Sequence, residues 1–571
     1  MIKSLFSRVR EFKKYAFLSP ISMIGEVAME VLIPTLMALI IDNGVSKGDM
    51  SYIWRMSIYL VGAAFMAMVF GVLAARFAAT ASAGFATNLR HDLYQKLQDF
   101  SFADIDRFST SSLITRMTTD VQNVQQSFNM SIRMLFRSPV MFIFAIIMVL
   151  RNGSKLAGIF AIAIPVIIAG IILVFTLTKK YFERAFKGYD RFNNTVQENL
   201  NGIRTVKAYV REEKECEKFN QSAEDIKYNF SKGQKIMAAT NPAVMLISYS
   251  CMIAISYLGA KLINVGGMET GELMSIYTYT GQILSSLIMT GMIIIMFSMS
   301  WPSMKRISEV LTAEVSMDLN EEGLREVKDG SIVFKDVDFA YREGKKVLKN
   351  INLEIKSGET VGILGTTGSG KSTLVSLIAR LYDVSSGSLL VGGVDVRQYN
   401  VHALRDAVSV VLQKNTLFSG TIADNLRWGD KEGTEEKMRL VTEHASALSF
   451  IDEKEEGFSS RVERGGSNFS GGQKQRLSIA RALMKDPKIL ILDDSTSAVD
   501  TQTDKSIREA LNKRVKGMTK IIISQRISSI EDADKIVIMN GGRIEDVGTH
   551  DELIVSNEAY KDLYLTQTRG K

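Results

Sequence analysis

Two unlike halves in one chain predict a multi-domain membrane protein: an all-α domain of six transmembrane helices, followed by an α/β domain of the P-loop type. Three observations predict it. Long apolar runs crowd residues 1–300, residues 325–571 read as a soluble mixed α/β sequence, and the second half carries a glycine-rich loop with the spacing of a phosphate cradle. The 571 residues are too many for one compact core. A mean hydropathy of +0.07 therefore averages over two different kinds of chain. The expected boundaries are 1–310 for the membrane domain, 311–325 for a linker and 326–571 for the soluble domain.

A membrane helix needs about 20 mostly apolar residues. Six stretches satisfy this, near 17–41, 57–82, 133–150, 157–178, 241–264 and 273–299. The third is short, and its start is expected to extend through Arg133 and Arg137. An even number of spans puts both termini on one side. Lys3, Arg8, Arg10, Lys13 and Lys14 precede the first span and put that side in the cytoplasm of a cell (plasma) membrane. The same basic run could open a secretory signal, but the apolar stretch behind it is too long and leads into further spans. The outward connections near 42–56, 151–156 and 265–272 are short, although Arg151 and Lys155 there run against the charge rule. The inward ones, near 83–132 and 179–240, are long, charged and helical in pattern, as if the spans ran on into the cytoplasm.

The net charge of +7 fits basic residues flanking membrane spans, so a nucleic-acid partner is not expected. Cys216 and Cys251, the two cysteines, give neither a disulfide framework nor a zinc spacing. Two features lie inside the spans. Glu26 and Glu30 share one helix face, and a carboxylate pair in lipid is costly enough to seek an internal cavity. They are candidate contacts for a cationic substrate, or a helix-packing pair. Met289, Met292, Met296 and Met299 make one stripe in the sixth span. Flexible thioethers suit a surface that accepts many ligand shapes, although such stripes also serve as ordinary packing.

The phosphate cradle reads Gly365-x-x-x-x-Gly370-Lys371-Ser372, with Gly368 and Ser369 inside the loop and Thr373 after it. The apolar strand VGIL precedes it and a helix follows. Backbone N–H groups of such a loop close around phosphates, and the helix N-terminus adds partial positive charge. Lys371 is the candidate for the β- and γ-phosphates and Ser372 for magnesium. Further on, the strand KILILDD ends in Asp493, placed to hold the magnesium shell. ATP and Mg2+ are the expected ligands.

Between these motifs stands Phe469-Ser470-Gly471-Gly472-Gln473, followed by a basic helix. Here the chain resembles the ABC ATPases, and the order of six spans then ATPase is similar to their exporter branch, as is ENLNGIRTVKAYVREE at 198–213. The resemblance covers nearly the whole chain. It implies that Ser470, Gly471, Gly472 and Gln473 bind the γ-phosphate of ATP held by an opposite subunit. It also implies that Tyr341 stacks on adenine, that Gln413 senses magnesium and touches the membrane half, and that Asp500 belongs to a loop crossing the dimer interface.

Three positions depart from the family pattern. The residue after the metal aspartate is usually glutamate, the base that activates water, and here it is Asp494, one methylene shorter. The switch histidine after the next strand is replaced by Gln525, which hydrogen-bonds but does not gain a proton near neutral pH. Before the signature, Glu463-Arg464 stands where exporters often have Gly-Glu. Two changes in one site beside an intact signature resemble the degenerate-site subunit of heterodimeric bacterial multidrug exporters. That resemblance implies a transport ATPase with a weak site of its own and a non-identical partner chain carrying Glu and His, and the methionine stripe and acidic pair lead us to expect amphipathic small molecules as cargo. A homodimeric lipid or peptide exporter and a nucleotide-gated channel or regulatory subunit are the alternatives.

Overall fold

The computed structural model describes residues 2–152, 156–341, 344–494, 501–514 and 517–569. The chain divides into two compact units. The first holds the residues up to Gln98 together with Ser111–Ala313, and the second holds Asp99–Thr110 together with the residues from Glu314 onward.

Among the described residues, six helices are long and apolar enough to cross a membrane: α1 (Lys3–Val45), α2 (Met50–Asp99), α4 (Thr110–Asn152), α5 (Ala157–Asn201), α7 (Glu212–Asn264) and α8 (Thr270–Leu311). Short helices α3 (Phe102–Phe108) and α6 (Ile203–Ala208) sit where the long ones break. The 50 residues of α2 extend about 75 Å at 1.5 Å per residue, more than twice a hydrocarbon core of about 30 Å. All six expected apolar stretches fall within these helices, and α4 runs through both Arg133 and Arg137. Helices satisfy their own backbone, so their outward side chains can be apolar. Ile58, Leu246 and Ile253 are accordingly exposed, while Val27, Val31, Ala145, Ile255, Tyr279 and Ile283 form the core of the unit.

The second unit is built on two sheets. An antiparallel one runs in the order β2-β1-β4-β5, with β1 Ile332–Phe339, β2 Leu348–Ile355, β4 Ser386–Val391 and β5 Val394–Asp395. The larger runs β12-β11-β3-β10-β9-β6, with β3 Thr360–Gly365, β6 Val408–Val411, β9 Ile489–Asp493, β10 Thr519–Ile523, β11 Lys535–Asn540 and β12 Arg543–Gly548. The pair β7 Gly420–Thr421 and β8 Arg461–Val462 stands apart. β9 and β10 are buried at every residue, as central strands of a parallel sheet covered on both faces must be. Within the stretch expected to link the domains, Leu324 pairs with Tyr399 and Ser316 bonds to Asp104 and Ser101. The segment Asp99–Thr110, part of the long inward connection expected near 83–132, clusters with the second unit.

Candidate nucleotide-binding site

The parallel sheet brings distant segments together. β10 lies between β3 and β9, and Ile523 pairs with Ile363 on one side and Asp493 on the other. The residues just past the ends of these three strands therefore share one edge, where ligands of parallel α/β sheets bind. A cavity of about 230 Å³ opens there. Its walls include Gly368, Gly370, Lys371, Ser372 and Thr373 from the loop after β3, Asp493 and Asp494 from β9, Gln525 from the turn after β10, and Gln413. These are nine of the residues that the sequence singles out.

The loop folds as a cradle because glycine permits it. Gly368 and Gly370 have φ of 82° and 99°, where a Cβ would be strained. Helix α9 (Lys371–Ile378) starts directly behind. The Lys371 ammonium donates to the carbonyl oxygens of Gly365 (2.7 Å) and Thr366 (2.9 Å). Burial holds its pKa below the ordinary lysine value, opposed by the charges of Asp493 and Asp494. The Ser372 hydroxyl donates to Asp493 Oδ1 at 3.0 Å, and burial pushes the Asp493 carboxyl up. Asp494 sits at φ 47°, a left-handed conformation costly for a residue with a Cβ. Gln413 Nε2 donates to Asp494 Oδ2 at 3.3 Å.

Ser369 Oγ, at the heart of the cradle, is buried and has no hydrogen-bond partner. A buried hydroxyl without a partner is costly, and a phosphate oxygen would satisfy it. The pairing of Ser372 with Asp493 offers hard oxygen ligands of the type magnesium takes. The residues present therefore fit a magnesium nucleotide.

Other candidates lie elsewhere. Ser470–Gln473 do not line the cavity. They form the N-terminus of helix α10 (Gly471–Leu483), where Ser470 Oγ accepts from Gln473 N–H (3.3 Å) and Gln473 Oε1 accepts from Ser470 N–H (3.0 Å). This reciprocal cap fixes the turn while Ser470 and Gly471 remain exposed. The Tyr341 ring is 47% exposed, and its hydroxyl lies 2.9 Å from Thr373 Oγ1. Asp500 lies outside the described residues.

In the first unit, Glu26 and Glu30 do come together, and both engage Arg137 of α4. One guanidinium nitrogen pairs with Glu26, and the other donates to both Glu30 oxygens at 2.8 and 2.9 Å. Gly71 of α2 makes room beside the Glu26 carboxylate, which lies 3.2 Å from where a Cβ would stand. Of the methionine stripe, Met289, Met292 and Met299 are exposed and Met296 is half-buried. Sequence reasoning missed the role of Arg137. A charge-neutrality rule would have found it, because an arginine and a carboxylate pair in neighbouring spans are expected to meet.

Comparison with known proteins agrees with this geometry. Residues 16–288 match the family model of the ABC transporter transmembrane region and residues 348–497 match the ABC transporter family model. The chain is 34% identical over 568 residues to the Uncharacterized ABC transporter ATP-binding protein YfiB of Bacillus subtilis, covering 99% of this chain and 98% of that one. It is 33% identical to YknU of the same organism, over 84% of this chain and 83% of that one. ABC transporter B family member 1 of Dictyostelium discoideum is 31% identical over 85% of this chain and 54% of its own length. With six candidate spans and the phosphate cradle on one polypeptide, the chain belongs to the ABC transporter family as a half-transporter, its second unit being the transport ATPase.

Proposed function

We propose that this chain is one subunit of a heterodimeric exporter of amphipathic small molecules, and that its own P-loop contributes the degenerate ATP site. One observation carries the reading. Asp494 and Gln525, two of the three departures from the family pattern, line the same cavity as Lys371, Ser372 and Asp493, while Ser470–Gln473 keep both glycines and a complete cap. Two catalytic defects in one site, with the signature that serves the other site intact, are what an unequal pair requires.

Lys371 holds the β- and γ-phosphates, and Ser369 and the loop amides close on them. Ser372 and Asp493, with Gln413, would hold magnesium, which would supply charge neutralisation to the phosphates. Tyr341 stacks on the base. Asp494 is too short to reach the water that a glutamate would orient, and general-base assistance is worth roughly 10²–10⁴-fold. Gln525 can donate to the γ-phosphate region but carries no titrating proton. Glu463 and Arg464 alter the approach to the signature. Ser470, Gly471, Gly472 and Gln473 complete the site of a partner half-transporter bearing Glu and His, with Asp500 crossing the interface. Closure of the paired ATPase units drives alternating access of the spans. The termini and the ATPase face the cytoplasm of a bacterial plasma membrane.

The methionine stripe and the acidic pair support an amphipathic, cationic cargo. Such a cargo must compete with Arg137 for Glu26 and Glu30. The test is the double variant Asp494→Glu with Gln525→His in the assembled transporter. ATP turnover is expected to rise towards about two-fold, because a restored base adds a second working site to the partner's own. An unchanged rate would refute the assignment. Brisk turnover by the unmodified chain alone, abolished by Asp494→Ala, would favour a homodimeric exporter.

A further inference from the structure

The helix α3 is held at two points by groups of its own compact unit. Its start is a capping box in which Ser101 Oγ and the Asp104 carboxylate answer each other's backbone N–H. The same Asp104 carboxylate, 3% exposed, accepts from Ser316 N–H at 3.2 Å, and the hydroxyls of Ser101 and Ser316 lie 2.7 Å apart. At the other point, Tyr382 donates its hydroxyl to Asp106 Oδ2 at 2.7 Å. Phe102, one turn earlier, meets the Tyr382 ring at 6.1 Å between centroids.

Tyr382 also faces the candidate base platform. Its ring stands edge-on to Tyr341 at 5.1 Å and 87°, and both rings pack on Phe339, at 5.6 and 4.9 Å. Tyr341 in turn reaches Thr373, the residue after the magnesium serine. An unbroken line of contacts therefore runs from Thr373 through Tyr341 and Tyr382 to Asp106. Edge-to-face pairs hold a preferred tilt, so a base stacked on Tyr341 constrains the ring beside it. Burial and the adjacent Asp106 charge both push the Tyr382 phenol upward, which keeps it a donor to that carboxylate at physiological pH. Peptide bonds join α3 to α2 on one side and α4 on the other.

We propose that Tyr382 is a positioning residue that registers the nucleotide base on Tyr341 with helix α3 through its hydrogen bond to Asp106. The proposal rests on the reading of Tyr341 as the base platform. It distinguishes two parts of the nucleotide. Phosphates meet this line only at its far end, at Thr373, whereas a base stacks on the ring that touches Tyr382 directly.

The experiment is hydrogen–deuterium exchange of peptides covering 99–110 in the full-length chain in lipid nanodiscs, with Mg-ATP or base-free Mg-tripolyphosphate. Mg-ATP is expected to change exchange there about three-fold or more, and tripolyphosphate to leave it near the ligand-free rate. Tyr382→Phe keeps the ring and removes the donor. It is expected to bind Mg-ATP within about two-fold of the native chain and to lose most of the ATP-dependent change in 99–110. Asp106→Ala is expected to do the same from the other side of the bond, and Asp106→Asn, which keeps an acceptor oxygen, to retain the response. An undiminished response in Tyr382→Phe, an equal response to tripolyphosphate, or a more than ten-fold loss of ATP affinity in Tyr382→Phe would overturn the proposal. Failure of the native chain to bind Mg-ATP would be a different result, refuting the base-platform reading itself and this proposal with it.

Discussion

Each unit of this protein concentrates two carboxylates, and the two pairs are treated oppositely. In the membrane unit Glu26 and Glu30 share Arg137 from a neighbouring helix, so the chain supplies its own counter-ion. In the ATPase unit Asp493 and Asp494 adjoin, and the cation beside them, Lys371, donates to main-chain oxygens of Gly365 and Thr366. The membrane cluster is already joined by charge-assisted bonds across two helices. The cradle keeps its ammonium on groups a phosphate can replace. Water is the reason for the difference. In lipid nothing else can satisfy a carboxylate, so the cation must be built in. At the open edge of a sheet, solvent and ligand can exchange, and a fixed counter-ion would compete with the metal.

The sharpest way to break this comparison is Arg137→Met. Leaving two carboxylates without their cation is expected to cost about 3 kcal/mol, read as a lower midpoint of thermal unfolding in detergent. Replacing all three, Glu26→Gln and Glu30→Gln with Arg137→Met, is expected to recover most of that loss, because no uncompensated charge remains. If the single variant is as stable as the native chain, the cluster is not a structural ion network. Cargo-dependent changes in the single variant then become the informative measurement.

Lys371→Met tests the other half. It is expected to leave the unfolding midpoint nearly unchanged, because the groups it releases are carbonyl oxygens beside an open cavity. Its Mg-ATP affinity, measured by calorimetry, is expected to fall by roughly 10–100-fold, the worth of one or two charge-assisted bonds. A large stability loss with unchanged affinity would invert the comparison. The smallest effect is expected for Asp494→Ala in the assembled transporter. Where the native residue does not act as base, ATP turnover is expected to change by no more than about two-fold, against the 10²–10⁴-fold of a working base.

Much of the site was legible because its signals are local. The cradle is a spacing of glycines within eight residues, and the metal aspartate is the end of a fully apolar strand. Helix and strand physics carry those readings directly. The six spans were legible for the same reason, since length and apolarity alone decide whether a helix can cross lipid. Arg137 was visible in the third span, yet its partners lie 107 and 111 positions away, so no short-range pattern announces them. Tyr382 was passed over entirely. Its phenol finds Asp106 across 276 positions, and nothing in the sequence around either residue marks the pairing.

The sequence by itself determined the order of the two units, the six apolar helices, the phosphate cradle and the substitutions at Asp494 and Gln525. The spans and the cradle are written in contiguous stretches of chain, and the two substitutions show against the pattern of the family that the chain resembles. Tertiary structure alone decided that β10 would stand between β3 and β9 and so gather Lys371, Asp493 and Gln525 at one edge. It alone decided that residues 99–110 would join the ATPase unit, and that the acidic pair would meet Arg137. These contacts join residues far apart in the chain, and which of many chemically acceptable partners meet is fixed only by packing and sheet order.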